Sequence, residues 1–86
     1  MKIVYTEKVL KQLKKLDKSV SSRIVDYMDE VAKLEAPRSR GKSLVGNLIG
    51  LWRYRVGDYR ILCRIIDDEL VIMVVEIGHR KGIYSS

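Results

Sequence analysis

Leu51–Cys63, which reads LWRYRVGDYRILC, decides the fold of this chain. Apolar and charged residues alternate on both sides of the pair Gly57-Asp58. Two alternating segments joined by two residues, the first a glycine, are typical of a β-hairpin. A two-residue turn also fixes the register of the strands, because it places Val56 opposite Tyr59. The pairs that follow are Arg55 with Arg60, Tyr54 with Ile61, and Trp52 with Cys63.

The predicted hairpin has one apolar face and one basic face, because side chains alternate along a strand. Like charges directly opposite each other in a sheet are destabilising by roughly 0.2–1 kcal/mol. An anion bound between Arg55 and Arg60 would relieve that repulsion, and arginine suits bidentate contact with phosphate. The alternative is a solvated face whose arginines lie apart. The predicted core face is Trp52, Tyr54, Val56, Tyr59, Ile61 and Cys63, and the other face is Leu51, Arg53, Arg55, Arg60, Leu62 and Arg64.

Length and composition predict one globular domain, spanning residues 1–86. A net charge of +6 and a pI near 9.6 favour polyanions or acidic proteins as partners. The sequence has no apolar run of about 18 residues and a single cysteine, which excludes a membrane-spanning helix and a disulfide framework. We therefore expect a cytoplasmic protein that does not bind membranes.

The segment before the hairpin predicts a strand and two helices. Lys2–Tyr5 is the strand, and the spacing of apolar residues predicts a helix over Glu7–Leu16, capped by Thr6. Ser19 is the expected N-cap of a second helix that runs to about Glu35, before Ala36-Pro37. Because the connection is so short, the two helices should form an antiparallel hairpin.

Two further segments flank the central hairpin. The stretch 38–50 is predicted to be an irregular basic linker; it either extends the surface available to a polyanion or only connects. After a turn at Asp67–Glu69, a last strand Leu70–Ile77 is apolar on both faces, so it should be covered on both sides or lie centrally in the sheet. The basic linker residues are Arg38, Arg40 and Lys42.

The remaining candidates for chemistry are arginines, one histidine and a tyrosine near the chain end. One cysteine and one histidine do not make a metal site, and Cys63 falls on the predicted core face. Several arginines suit phosphoryl chemistry on RNA, in which the 2′-hydroxyl attacks its own phosphate. Arginine transfers protons poorly at neutral pH, so His79 and Tyr84 are the candidates for proton transfer or for stacking on a base.

The sequence over Ser43–Tyr84 resembles the RelE family of the RelE/ParE toxin superfamily. The resemblance includes the Gly-Leu-Trp-Arg that leads into the hairpin, the Val-Gly-Asp-Tyr-Arg turn, and the closing Gly-His-Arg followed by Ile-Tyr. It implies an α+β fold with an N-terminal strand and an antiparallel helical hairpin packed on a mainly antiparallel four-stranded sheet. It also implies no cofactor and no metal.

The resemblance further implies an activity. RelE toxins enter the ribosomal A site and cut messenger RNA, leaving a 2′,3′-cyclic phosphate. Their phosphate-holding arginines fall on Arg60 and Arg80, and their base-stacking tyrosine falls on Tyr84. Arg53 and Arg55 stand where some members have lysines, which leaves the general base open and makes His79 a candidate. The expected catalytic set is Arg55, Arg60, His79, Arg80 and Tyr84, and the expected RNA-binding set is Arg38, Arg40, Lys42, Arg53 and Arg64.

The same resemblance implies partners and leaves alternatives open. A cognate antitoxin should cover the basic face, and promoter DNA would be reached only indirectly, through that antitoxin. The alternative activity is ParE-like inhibition of DNA gyrase without nuclease action. A third interpretation is a binding module or a degenerate toxin that keeps the fold without the activity.

Overall fold

The computed structural model describes residues 1–79, and in that range the chain forms two α-helices packed on a five-stranded sheet. The strand order is β1-β5-β4-β3-β2. Strand β1 pairs with β5 in parallel, and the other neighbouring pairs are antiparallel. The α+β prediction is therefore confirmed. The bounds are β1 Lys2–Tyr5, α1 Glu7–Lys15, α2 Lys18–Lys33, β2 Lys42–Ser43, β3 Trp52–Val56, β4 Tyr59–Ile66 and β5 Val71–His79.

The central hairpin forms in the predicted register. Val56 pairs with Tyr59 and Arg55 pairs with Arg60 across the two-residue turn. Gly57 has a φ of +59°, a left-handed conformation that glycine adopts without a steric penalty. The turn residues therefore fix which side chains face the core.

The two helices form where the apolar spacing predicts them, with different ends. The Thr6 side chain accepts a hydrogen bond from the Val9 N–H at 3.2 Å, as expected of an N-cap. The prediction that Ser19 caps the second helix is wrong. The N-cap is Asp17 and the helix begins at Lys18, two residues earlier than predicted, because the Asp17 carbonyl already accepts hydrogen bonds from the backbone of Val20 and Ser21.

The sheet has one strand more than the four predicted, within the part of the chain that the structure describes. The extra strand, β2, lies in the segment predicted to be an irregular linker, and it pairs with Trp52 and Arg53. A Cβ on Gly41 would lie 2.5 Å from the Arg53 carbonyl oxygen, so only glycine lets the linker approach β3 this closely. A strand of two residues has no periodicity to read in the sequence.

The last strand lies inside the sheet, between β1 and β4, as its apolar faces predict. It begins at Val71 and not at Leu70, because Leu70 has a left-handed φ of +55° and closes the turn Asp67–Glu69. The pairing of β4 with β5 shifts register between Leu62 and Cys63, which is a β-bulge.

The core lies between the helices and one face of the sheet. Cys63 is completely buried in it, as predicted, and burial raises the pKa of its thiol to about 12. No helix in residues 1–79 is long and apolar enough to cross a membrane. The residues of the core cluster are Val9, Ile24, Met28, Val31, Tyr54, Val56, Ile61, Cys63, Ile72, Val74 and Ile77.

Candidate functional site

The pair Arg55–Arg60 is the centre of the candidate site. The two residues lie directly opposite each other beside the hairpin turn, on the face of the sheet that points away from Tyr54 and Ile61. Arg55 is exposed and Arg60 is half-buried. Across β5, Arg60 lies opposite Gly78, which has no side chain to fill the space beside it. The pairing therefore places two arginine side chains next to each other on one face, beside the hairpin turn.

The basic face continues along both strands and onto β2. Lys42 is directly opposite Arg53, so the two side chains share a face of the sheet. Leu62 lies opposite Arg53 and is only 5% exposed although it faces away from the core. The aliphatic stems of long basic side chains can cover such a residue while their charged ends stay in water. We use the name basic face for Lys42, Arg53, Arg55, Arg60 and Arg64.

A carboxylate that the sequence analysis did not single out lies next to the basic face. Glu76 is opposite Leu62 in the pairing of β4 with β5. Its side chain forms a salt bridge with Lys8 of α1. The negative charge of Glu76 is thus compensated by Lys8 of α1. Sequence spacing gave no signal for this residue, because the β-bulge alters the alternation of β5.

His79 lies on the other face of the sheet. It pairs with Tyr59, and the two rings meet edge to face with their centroids 5.1 Å apart. Because directly opposite residues share a face, His79 is on the side of Tyr59 and not on the side of Arg60. The structure therefore does not bring the histidine together with the arginine pair.

Arg38 is held at the opposite end of β4. Its guanidinium forms a two-pronged ion pair with Asp67, at 2.8 and 2.9 Å, and lies 5.9 Å from the centre of the Trp52 ring. The hydrogen bond from Arg38 holds the pKa of the Asp67 carboxyl below its usual value. Six strand residues lie between Arg60 and Asp67, which are therefore roughly 20 Å apart along β4. Arg38 is therefore placed apart from the arginine pair.

Arg40 and Lys42 flank Gly41 beside an open groove at the edge of β3. The Arg40 guanidinium lies 5.7 Å from the centre of the Tyr27 ring, within cation–π range. Tyr27 belongs to α2. The described residues that line the groove are Tyr27, Arg40, Gly41, Lys42, Arg53 and Arg55, and none of these is acidic.

Two predicted site residues, Arg80 and Tyr84, lie outside the described residues, and their roles stay predictions. Within residues 1–79, no group of three or more histidine, cysteine, aspartate or glutamate residues could hold a metal ion. The site that the structure does describe therefore consists of the basic face and the adjoining groove.

Comparison with known proteins assigns the chain to a class of protein. A family model described as the ParE toxin of the type II toxin–antitoxin system parDE matches residues 3–84. The chain is thus a toxin of the type II toxin–antitoxin class. Toxin RelG of Mycobacterium tuberculosis (strain ATCC 25618 / H37Rv) is 30% identical over 80 residues, which cover 93% of this chain and 91% of that protein.

Solved structures narrow the class further. A chain of the toxin–antitoxin complex RelBE2 from Mycobacterium tuberculosis superposes with a TM-score of 0.83 at 26% identity, covering 92% of this chain and 96% of that one. A variant of the E. coli toxin RelE in the free state gives 0.76 at 26% identity, with 98% and 90% covered. The chain belongs to the RelE/ParE superfamily and is a RelE-family toxin, which confirms the resemblance predicted from Ser43–Tyr84.

Proposed function

We propose that this toxin is a metal-independent endoribonuclease that cuts messenger RNA in the ribosomal A site. The observation that supports the proposal is the cross-strand pair Arg55–Arg60. Two cations held opposite each other repel, and a phosphodiester between them would turn that repulsion into binding. Arginine forms bidentate contacts with phosphate oxygens, and the half-buried position of Arg60 strengthens such a contact by limiting access of water.

In the proposed reaction the 2′-hydroxyl of the RNA attacks the adjacent phosphorus. The 2′-oxygen loses its proton and forms a bond to phosphorus, while the bond from phosphorus to the 5′-oxygen breaks and that oxygen takes up a proton. The products are a 2′,3′-cyclic phosphate and a free 5′-hydroxyl. Negative charge on the phosphoryl oxygens grows in the transition state, and Arg55 and Arg60 would stabilise it.

The groups that move the protons are a separate part of the proposal. Arginine stays protonated at neutral pH, so Arg55 and Arg60 would position and stabilise but would not act as the general base. His79 lies on the other face of the sheet, and proton transfer by its ring would require the RNA to pass around the end of the strand. By family precedent Tyr84 stacks on the base beside the cleaved phosphate, and Arg80 joins Arg60 in holding that phosphate.

The proposed partners follow from the class. The solved relatives include toxin–antitoxin complexes. A cognate antitoxin that covers the basic face would block access of RNA to Arg55 and Arg60. Promoter DNA would be contacted only through that antitoxin, and the ribosome would present the messenger RNA.

Cleavage on translating ribosomes tests the proposal. Wild-type protein should produce new 5′ ends at fixed positions within codons, mapped by primer extension, and a message with a 2′-deoxynucleotide at the cleaved position should stay intact. Arg60→Ala should lower the cleavage rate by about 10²-fold, because one group that stabilises transition-state charge is lost. Tyr84→Ala should also lose cleavage.

Lys11→Ala is the matched control, since it removes one positive charge from α1, away from the basic face. Circular dichroism shows whether each variant folds. Wild-type-like cleavage by folded Arg60→Ala, or cleavage of the deoxy-substituted message, would contradict the mechanism.

A second candidate function is inhibition of DNA gyrase, which the description of the matching family model favours. In that case the purified protein should trap gyrase on cleaved DNA and leave messenger RNA on ribosomes uncut. A gyrase supercoiling assay run beside the primer extension separates the two candidates. Growth arrest without new RNA ends would favour gyrase.

A further inference from the structure

The groove beside β3 combines positive charge, as in a nucleic-acid binding site, with a planar group, the guanidinium of Arg40. Lys42, Arg53 and Arg55 bring positive charge to it from two strands, and Arg40 lies over the Tyr27 ring at its edge. Arg40, Lys42 and Arg55 are exposed, while Tyr27 is half-buried. A guanidinium within cation–π range of an aromatic ring is a planar group on which a nucleic-acid base can stack.

The backbone keeps this groove open and its side chains in place. Strand β2 begins at Lys42, so it does not extend along β3 as far as Arg55. Gly41 packs against Trp52 and Arg53 so closely that no side chain could fit there. The close approach of the linker therefore sets Arg40 and Lys42 on either side of Gly41, at the rim of the groove.

The groove is continuous with the arginine pair. Arg55 lines this groove and also the small pocket at the hairpin turn, which it shares with Tyr59 and Arg60. Tyr27 and Arg55 also border a neighbouring cleft that contains Asp26 and Glu30, whose charge would repel a polyanion. A chain of phosphates that starts at Arg60 thus has a short favourable path, past Arg55 and up to Tyr27.

We propose that this groove binds the single-stranded RNA next to the cleaved phosphate, with one base stacked on Arg40 and the flanking phosphates held by Lys42, Arg53 and Arg55. The inference rests on the proposed nuclease function and adds a stacking position to it. The flat guanidinium of Arg40 beside the Tyr27 ring favours RNA over an acidic protein segment, because a base gains from stacking while a carboxylate needs only charge.

Binding of an RNA that cannot be cleaved tests the groove directly. The probe is an eight-nucleotide, fluorescently labelled 2′-O-methyl RNA, and its affinity is measured by anisotropy without ribosomes at several salt concentrations. Arg40→Ala should weaken binding about tenfold because the stacking contact is lost, and it should lower the slope of log affinity against log salt by up to about 0.7 because one positive charge beside the RNA is lost.

Arg40→Lys separates stacking from charge. It keeps the positive charge and removes the planar group, so it should keep the wild-type salt slope and still bind the RNA several-fold more weakly. Lys15→Ala is the matched control, because it removes one exposed charge from α1 and should leave the affinity and the slope close to those of the wild type. An eight-residue poly-glutamate peptide serves as the non-nucleic polyanion.

The possible outcomes separate this proposal from the proposed function. If both Arg40 variants bind RNA like the wild type and Arg55→Ala loses binding, the groove proposal is wrong and phosphate binding by the arginine pair is retained. Weaker RNA binding in both Arg40 variants, in a protein that cuts no message on ribosomes, would support the groove and reject the nuclease. If Arg40→Ala weakens only the binding of poly-glutamate, the groove is a peptide site and the proposal is wrong.

Discussion

Two buried tyrosine hydroxyl groups differ in whether they have a hydrogen-bond partner. The Tyr54 hydroxyl donates a hydrogen bond of 2.9 Å to the Pro37 carbonyl, which ties the end of the helical hairpin to the sheet. The Tyr5 hydroxyl is also buried, but it has no hydrogen-bond partner within the described residues. Burial raises the pKa of both, that of Tyr5 to about 12, so both stay neutral.

Removal of these two hydroxyls should have opposite results. Tyr54→Phe leaves the Pro37 carbonyl buried without its donor and should lower the free energy of unfolding by about 1–2 kcal/mol. Tyr5→Phe removes a polar group that gains nothing in the folded state, so it should be neutral or stabilising. Urea denaturation of both variants measures the difference. Equal losses of stability would show that the hydrogen bond to Pro37 contributes nothing.

Among the secondary-structure elements, the edge of β5 is completed by a helix. Strand β1 pairs with β5 only as far as Val74, so the backbone of Ile77 lies beyond the end of β1. The Gln12 side chain of α1 binds both polar groups of Ile77, donating to its carbonyl at 2.8 Å and accepting from its N–H at 3.0 Å. One amide side chain thus takes the place of a strand residue.

Gln12→Met should expose this dependence. The variant keeps the length of the side chain and removes both hydrogen bonds, so the free energy of unfolding should fall by about 1–3 kcal/mol. Hydrogen exchange at the Ile77 amide should accelerate more than exchange in β3. Lys11→Met, at the neighbouring exposed position, is the control and should change little. Unchanged protection of Ile77 in Gln12→Met would refute this role.

The elements that the sequence predicts best are those with a repeating pattern or a defined turn. The spacing of Val9 and Leu13 marks α1, and Gly57-Asp58 sets the hairpin register that brings Arg55 opposite Arg60. The pattern does not predict β2, since its two residues are held by a tertiary contact at Gly41. The candidate site likewise has a predictable and an unpredictable part. The alternation of residues along the hairpin predicts the basic face. The face on which His79 lies depends on how β5 pairs with β4, and that register cannot be read from the sequence.

On the scale of the whole molecule, the fold concentrates an excess of positive charge on one side of a small sheet. The net charge is +6, and the basic face gathers five of the cations in residues 42–64. Such a concentration opposes folding through self-repulsion and favours binding of polyanions. The folded molecule should therefore be less stable than its core allows until an anion is present.

Inorganic phosphate should stabilise the protein more than chloride does at equal ionic strength, because it binds the native arginine pair. Arg55→Gln should raise the free energy of unfolding by about 0.2–1 kcal/mol at low salt and reduce the gain from phosphate. Thermal and urea denaturation in both salts measure the two effects. Lys15→Gln, which carries the same charge change on α1, should retain the full response to phosphate.

A stable Arg55→Gln variant that gains as much from phosphate as the wild type would argue against anion binding at this pair. If Arg55→Gln instead lowers the free energy of unfolding at low salt, Arg55 makes favourable contacts in the folded protein that outweigh its repulsion with Arg60.

The position of β5 between β1 and β4 also determines when the sheet can form while the chain is being synthesised. It is the last of the described strands to be synthesised, yet it is the one that joins β1 to β4. A two-stranded hairpin alone is only marginally stable in water, so β3 and β4 cannot hold Arg55 and Arg60 firmly before β5 has emerged. A nascent chain therefore presents Arg55 and Arg60 in their native geometry only after β5 has been made and has paired with β4.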